Sequence, residues 1–222
     1  LTLSRGYGME SVRQRAMSTA ETVSASLSEV VDDSALELVV DLRLAFGRLL
    51  AALGANERAE KEHLDTAELS LSQGWTETAC AALALASHAA QARGDRASSG
   101  RAWRKCREAM GAWPMNRPGE RCGTLVDAVG DPLVALQVLS ALAEILVDGV
   151  EEDHSRAPII REIISRASEQ TSRCVNPPQG AVESLARVEE RIAPYGRGRG
   201  GRRRPGSTTT IRTDGRAALE GE

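Results

Sequence analysis

The sequence predicts an all-α protein, and three observations carry that prediction. Of 222 residues, 41% are hydrophobic, enough for a buried core. That share is drawn mainly from Ala, Leu and Val, while aromatics make up 3%, with a single Phe at position 46. Such residues suit packed helices whose backbones approach closely, whereas β-sandwiches draw on aromatic and β-branched pairs. Finally, apolar residues recur three and four apart along most of the chain, and no stretch alternates polar and apolar for long enough to form a strand.

Residues 1–8, "LTLSRGYG", read as a flexible lead-in before an all-α domain over 9–194 and a Gly/Arg-rich tail over 195–222. Val12, Ala16, Thr19, Val23, Leu27 and Val30 define one face of a first helix, Met9–Val31. "DDS" at 32–34 then offers a cap for a helix over Ala35–Leu53, ended by Gly54. A more polar helix follows over Glu57–Leu71 and stops at "SQGW"; an Ala/Leu helix over Thr76–Arg93 and another over Ser98–Ala112 come next. Pro114 and Pro118 bracket a break, after which a helix runs to Gly130. Leu133–Val147 is the most apolar element and is expected to be central. Pro158 fits the first turn of a helix over Ala157–Cys174, "NPPQG" breaks it, and Ala181–Ile192 is the last helix.

Charge is unevenly placed. From Tyr195 onward seven Arg stand against Asp214, Glu220 and Glu222, a net of +4, which leaves −7 for residues 1–194 of the chain's −3. The composition after Pro194 cannot bury enough surface to order itself. Cys80, Cys106, Cys122 and Cys174 are far apart, with no C-x-x-C, and read as reduced packing residues. The chain begins with Leu, as a fragment or processed product would. No signal segment or bilayer-length apolar run is recognisable, so a soluble protein inside the cell, with no membrane partner, is expected.

The sequence gives little sign of catalysis. His63, His88 and His154 belong to no H-E-x-x-H, and neither G-x-S-x-G nor a Walker loop occurs. "GRGRGG" at 196–201 follows a helix and leads into arginines, so it lacks the strand-to-helix setting of a dinucleotide fingerprint. Adjacent acids at 32–33, 151–153 and 189–190 read as solvated caps. No enzyme, metal or cofactor is expected. Arg93-Gly94-Asp95 matches an adhesion triplet, but a helix-ending Gly and a capping Asp explain it without a partner.

The remaining pattern is repetition. Gly54, Gly94 and Gly130 end helices at spacings of 40 and 36, each preceded seven residues earlier by Gly47, Ser87 or Gly123. Ala59 and Ala135 follow five residues after their glycines, and Ala102 is matched to them by allowing three extra residues. His63, Cys106 and Leu139 come four later, then Thr66, Ala109 and Leu142. Over about residues 40–147 this helix, Gly turn, small-residue helix arrangement resembles the tetratricopeptide repeat, best in "ALALASHAAQARGDRASSGRAWRKCREAMGAWP". The family period is 34, and the large aromatic positions of its first helix are Ala here. Antiparallel helix pairs are expected either way, as a repeat solenoid or as an irregular bundle.

The resemblance implies a non-enzymatic protein–protein interaction or scaffold module that holds a peptide or partner helix. Arg43, Arg48, His88, Arg101 and Arg104 are the candidate partner-binding residues, and Trp103 and Trp113 are expected to pack between helices. The alternative is a helical nucleic-acid-associated protein, with Tyr195 stacking on a base and Arg197, Arg199, Arg202, Arg203 and Arg204 neutralising phosphates of RNA or DNA.

Overall fold

The computed structural model describes residues 35–195 and, ahead of them, Gln14, Arg15, Ser18, Thr19, Glu21, Thr22, Ala25 and Ser26. Those eight positions are helical, and Glu21 accepts a hydrogen bond from Arg58 at 2.9 Å. The rest of the helix expected over Met9–Val31, the lead-in and everything after Tyr195 lie outside the described residues.

Over residues 35–195 the chain is helical, with no strand among the described residues. The helices are α1 (Leu36–Ala52), α2 (Asn56–Ser72), α3 (Thr76–Ala92), α4 (Arg96–Gly111), α5 (Pro118–Val129), α6 (Pro132–Val147), α7 (Arg156–Arg173) and α8 (Gln179–Ile192). A 3₁₀ turn over Ala193–Tyr195 closes the series.

The first three turns are copies of one another. Gly54, Gly74 and Gly94 have φ of +77°, +74° and +85°, a backbone conformation that costs a residue bearing Cβ about 1–2 kcal/mol. The amide of each glycine donates to the carbonyl three residues back, and the next amide donates to Leu50, Ser70 and Ala90 at 2.9, 2.9 and 3.0 Å. This paired closure satisfies carbonyls that every helix end leaves open. Helices α1 to α4 consequently begin at 36, 56, 76 and 96. The cadence is 20 residues per helix and 40 per hairpin. The three-residue insertion expected between Gly94 and Ala102 is absent: the turns at 53–55 and 93–95 have the same length and bonding.

Small and polar residues make many of the contacts inside this part, beside Val40, Leu44, Phe46 and Leu50 of α1. The buried face of α2 is Ala59, Glu60, His63, Thr66, Ala67 and Ser70, without one large aliphatic side chain. His63, 1% exposed, lies against Gly47 of α1; a Cβ built there would stand 2.7 Å from its Nδ1. Between α3 and α4, Ser87 lies within hydrogen-bonding reach of both the carbonyl and the hydroxyl of Ser99 at 3.0 Å. Cys106 Sγ donates to the Cys80 carbonyl at 3.4 Å. These separations show how closely the two backbones approach.

The second half is joined differently. Pro118 opens α5 after Arg117, which has φ +50°. Gly130, φ +66°, ends α5, and its amide donates to Val126 at 2.9 Å. Asp131 caps α6 by accepting from Leu133 and Val134 at 2.8 and 3.1 Å. Leu125, Leu136, Leu139, Leu142, Ile160 and Ile163 are fully buried here and dominate the core. The expectation that the 133–147 segment is central holds: α6 contacts α3, α4, α5, α7 and α8.

Helix contacts follow sequence order. Each helix packs on its successor, apart from α4 and α5, and next-but-one pairs α3·α5, α5·α7, α4·α6 and α6·α8 also touch.

Candidate functional site

A groove of about 800 Å³ opens where α3, α4, α6 and α8 meet. Its floor is made of small residues: Ala84 and Ser87 from α3, Ser99 and Gly100 from α4, Ser140 and Ala141 from α6, Ala181 and Ser184 from α8. A Cβ placed at Gly100 would meet nothing within 4 Å. The hollow therefore follows from side-chain size at positions where larger residues would bring the walls together.

The α4 wall presents Arg96, Gly100, Trp103 and Arg107, spaced by four, three and four, so that they fall on one helix face. Trp103 is half-buried, its body packed on the edge of the core while it borders the groove. Glu144 of α6 is the one carboxylate among the lining residues. It accepts a short hydrogen bond from Ser184 and faces Arg107 at 3.6 Å and Arg187 at 3.9 Å. Its charge is thus matched from two helices, while Arg96 is exposed and makes no ion pair among the described residues.

The five candidate partner-binding residues do not form one cluster. Arg43 pairs with Glu62 at 3.7 Å between α1 and α2. Burial raises the Glu62 carboxyl above its ordinary range despite that neighbour. Arg48 donates to the carbonyls of Asp127 and Ala128 at 3.4 and 3.1 Å, tying α1 to the end of α5. Arg101 donates to the hydroxyl of Ser98 at 2.7 Å. Arg104 is exposed one turn beyond Gly100. Only His88 lines the groove itself.

Other residues singled out from the sequence have structural settings. Asp95 accepts from the Ser98 amide at 2.9 Å, as the turn reading of Arg-Gly-Asp requires, while Arg93 bonds Glu60 of α2 at 2.6 Å. The hydrogen bonds from Ser98 hold the Asp95 carboxyl below its usual range. Trp113 is 3% exposed and packs in the core, as expected; Trp103 differs because one edge stays open to the groove. Tyr195 packs against His154 with ring centroids 4.7 Å apart and ring planes tilted by 40°. Arg197, Arg199, Arg202, Arg203 and Arg204 lie outside the described residues.

The chemistry of the remaining titratable groups is subdued. Burial, with the charge of Arg48 adding to it, pushes the His63 imidazole down to about 4. Burial raises the Cys122 thiol to about 12, and the Cys106 thiol is held far up by its contact with Cys80 and by burial. Protonated thiols are poor nucleophiles and poor metal ligands. Among the described residues no three His, Cys, Asp or Glu side chains gather as a metal site would need, and no helix is long and apolar enough to cross a membrane.

A second cleft, of about 430 Å³, lies between α1, α3 and α5 and has the opposite character. Glu37, Asp41 and Asp127 are exposed on its rim beside Trp75 and Arg48.

The groove was half-visible in the sequence. The Arg96, Gly100, Trp103, Arg107 spacing was there to be read as a face; Gln137, Glu144, Gly180 and Ser184 reach it only through the packing of α6 and α8. No protein-family model, curated protein or solved structure matches the chain.

Proposed function

We propose that the protein is a non-enzymatic interaction module, a stack of antiparallel helix pairs that holds a segment of a partner protein in the groove between α3, α4, α6 and α8. The observation that carries this reading is the groove itself: small residues from four helices form its floor, and Trp103 and arginines form its α4 wall. Aromatic and Arg side chains are the types that contribute most to protein interfaces. The order of helix contacts supports a solenoid-like build similar to tetratricopeptide repeats, although a 40-residue hairpin exceeds that family's 34.

The test is a peptide-library selection on the full chain, with Gly100→Leu as control. A Cβ at this position meets nothing within 4 Å, and the rest of the leucine side chain would project into the groove. Selected peptides are expected to lose binding to Gly100→Leu while its thermal unfolding stays close to that of the parent. Equal binding to both proteins would refute the groove.

The Arg-rich segment 197–216 supports a second reading, association with nucleic acid. Salt-sensitive RNA or DNA binding that disappears on removal of 195–222 would favour it.

A further inference from the structure

We infer that the groove takes an acidic peptide, whose carboxylates are met by the cationic face of α4 and whose apolar side chains rest on Trp103 and the alanines of the floor. This rests on the groove being a binding site and adds the chemistry of its occupant.

The argument is charge complementarity. Residues 1–194 carry a net charge of −7, yet α4 exposes Arg96, Arg101, Arg104, Lys105 and Arg107 against a single exposed acid, Glu108. A concentration of five cations on one helix of an acidic body is the reverse of what its composition would distribute. Arg96 and Arg107 line the groove directly, and Arg104, four residues after Gly100, flanks it.

The lining carboxylate does not cancel this field. Glu144 is held by Ser184 and lies between Arg107 and Arg187, so it balances part of those two charges and leaves Arg96 and Arg104 without counter-ions among the described residues. The start of α8 adds to the same sign. Gly180 lines the groove in the first turn of α8, where no side chain caps the helix, and the positive end of a helix favours a carboxylate.

The occupant is a peptide because the groove offers mixed polar and apolar contact. Ala84, Ala141 and Ala181 accept aliphatic groups, and the hydroxyl oxygens of Ser140 and Ser184, whose protons go to the Ala181 carbonyl and to Glu144, can still accept from a backbone amide. Among the lining residues, Trp103 is the sole large aromatic surface, whereas a strand of bases calls for a series of stacking platforms.

The test is fluorescence anisotropy with three labelled peptides of equal length, alternating Leu with Glu, Gln or Lys, titrated with the full chain at low and at physiological salt. The Glu/Leu peptide is expected to bind at least roughly tenfold more tightly than the other two, and less tightly as salt rises. Arg96→Gln with Arg104→Gln, both at exposed positions, is expected to weaken it by roughly fivefold to tenfold. Gly100→Leu should remove it.

Each other outcome has a meaning. Tighter binding of the Gln or Lys peptide, lost in Gly100→Leu, overturns the acidic assignment and leaves the groove reading standing. Acidic-peptide binding that survives Gly100→Leu resides elsewhere, for instance on the arginines of 197–216, and overturns both. No binding by any peptide overturns both as well. A single-stranded RNA that binds more tightly than the Glu/Leu peptide and is lost with Arg96→Gln and Arg104→Gln overturns the peptide in favour of nucleic acid.

Discussion

Helices α1 to α4 and helices α5 to α8 reach the same antiparallel packing by different means. In the first half the turns set the geometry: three glycines with near-identical φ impose a 20-residue cadence, and the buried faces of α2 and α3 are mostly Ala, Ser, Thr and one histidine, set against Val, Leu and Phe of α1. In the second half no two connections match, and large aliphatic side chains decide how the helices sit. Small interfaces bring backbones close but bury little area per residue; large ones bury more and tolerate varied turns. The groove lies on the seam, with α3 and α4 on one side and α6 and α8 on the other. Small residues that serve packing on the first side leave room for a ligand there.

Breaking the second half should cost most. Leu139→Ala, at a fully buried position in α6, is expected to lower unfolding free energy by about 3 kcal/mol in urea titration. A loss below about 1 kcal/mol would mean that α6 is not the centre of the core.

Crowding the first half comes next. Gly47→Ala sets a methyl group into the His63 ring, and the strain should exceed the gain in helix propensity, for a net loss of about 2 kcal/mol. Unchanged thermal stability would show that α1 and α2 can part freely.

The same contact predicts acid sensitivity. His63 titrates near 4 when folded and near 6.5 when unfolded, so between those values the unfolded chain binds more protons. Stability is full above about pH 6.5 and declines as pH falls through the window, by about 2 kcal/mol at pH 5. The decline should vanish in His63→Gln, as measured by denaturation at pH 7 and pH 5. An equal decline in both proteins would place its origin elsewhere.

The smallest effect sharpens the comparison most. Gly74→Ala and Gly94→Ala meet nothing within 4 Å and differ from the parent only in backbone strain, so each should cost about 1 kcal/mol, and equally. A large difference between them in thermal melts would argue against equivalent turns.

Much of this was legible in the sequence. Helix ends fell within about two residues of their expected places because Gly, Pro and the "NPPQG" run stop helices by covalent geometry. The 20-residue cadence was missed because Gly74 follows the polar helix α2, whose buried His63, Thr66 and Ser70 do not look like a core face. Aligning Ala102 with Ala59 introduced an apparent insertion, because the buried face of α4 runs Ser98, Ala102, Cys106, Met110 while that of α2 runs Ala59, His63, Thr66 and Ser70. Arg43 and Arg48 engage the body's own Glu62 and α5 carbonyls, contacts that join distant helices and cannot be read from a lone Arg on an amphipathic helix.

The three tryptophans allow the most direct test of the groove. Trp103 borders it, Trp75 borders the acidic cleft between α1, α3 and α5, and Trp113 is buried in the core. In ¹H–¹⁵N correlation spectra of the full chain, adding the Glu/Leu peptide should shift the Trp103 indole signal and leave those of Trp75 and Trp113 in place. Movement of Trp75 alone, or no movement of Trp103 at saturating peptide, would contradict the groove as the binding site.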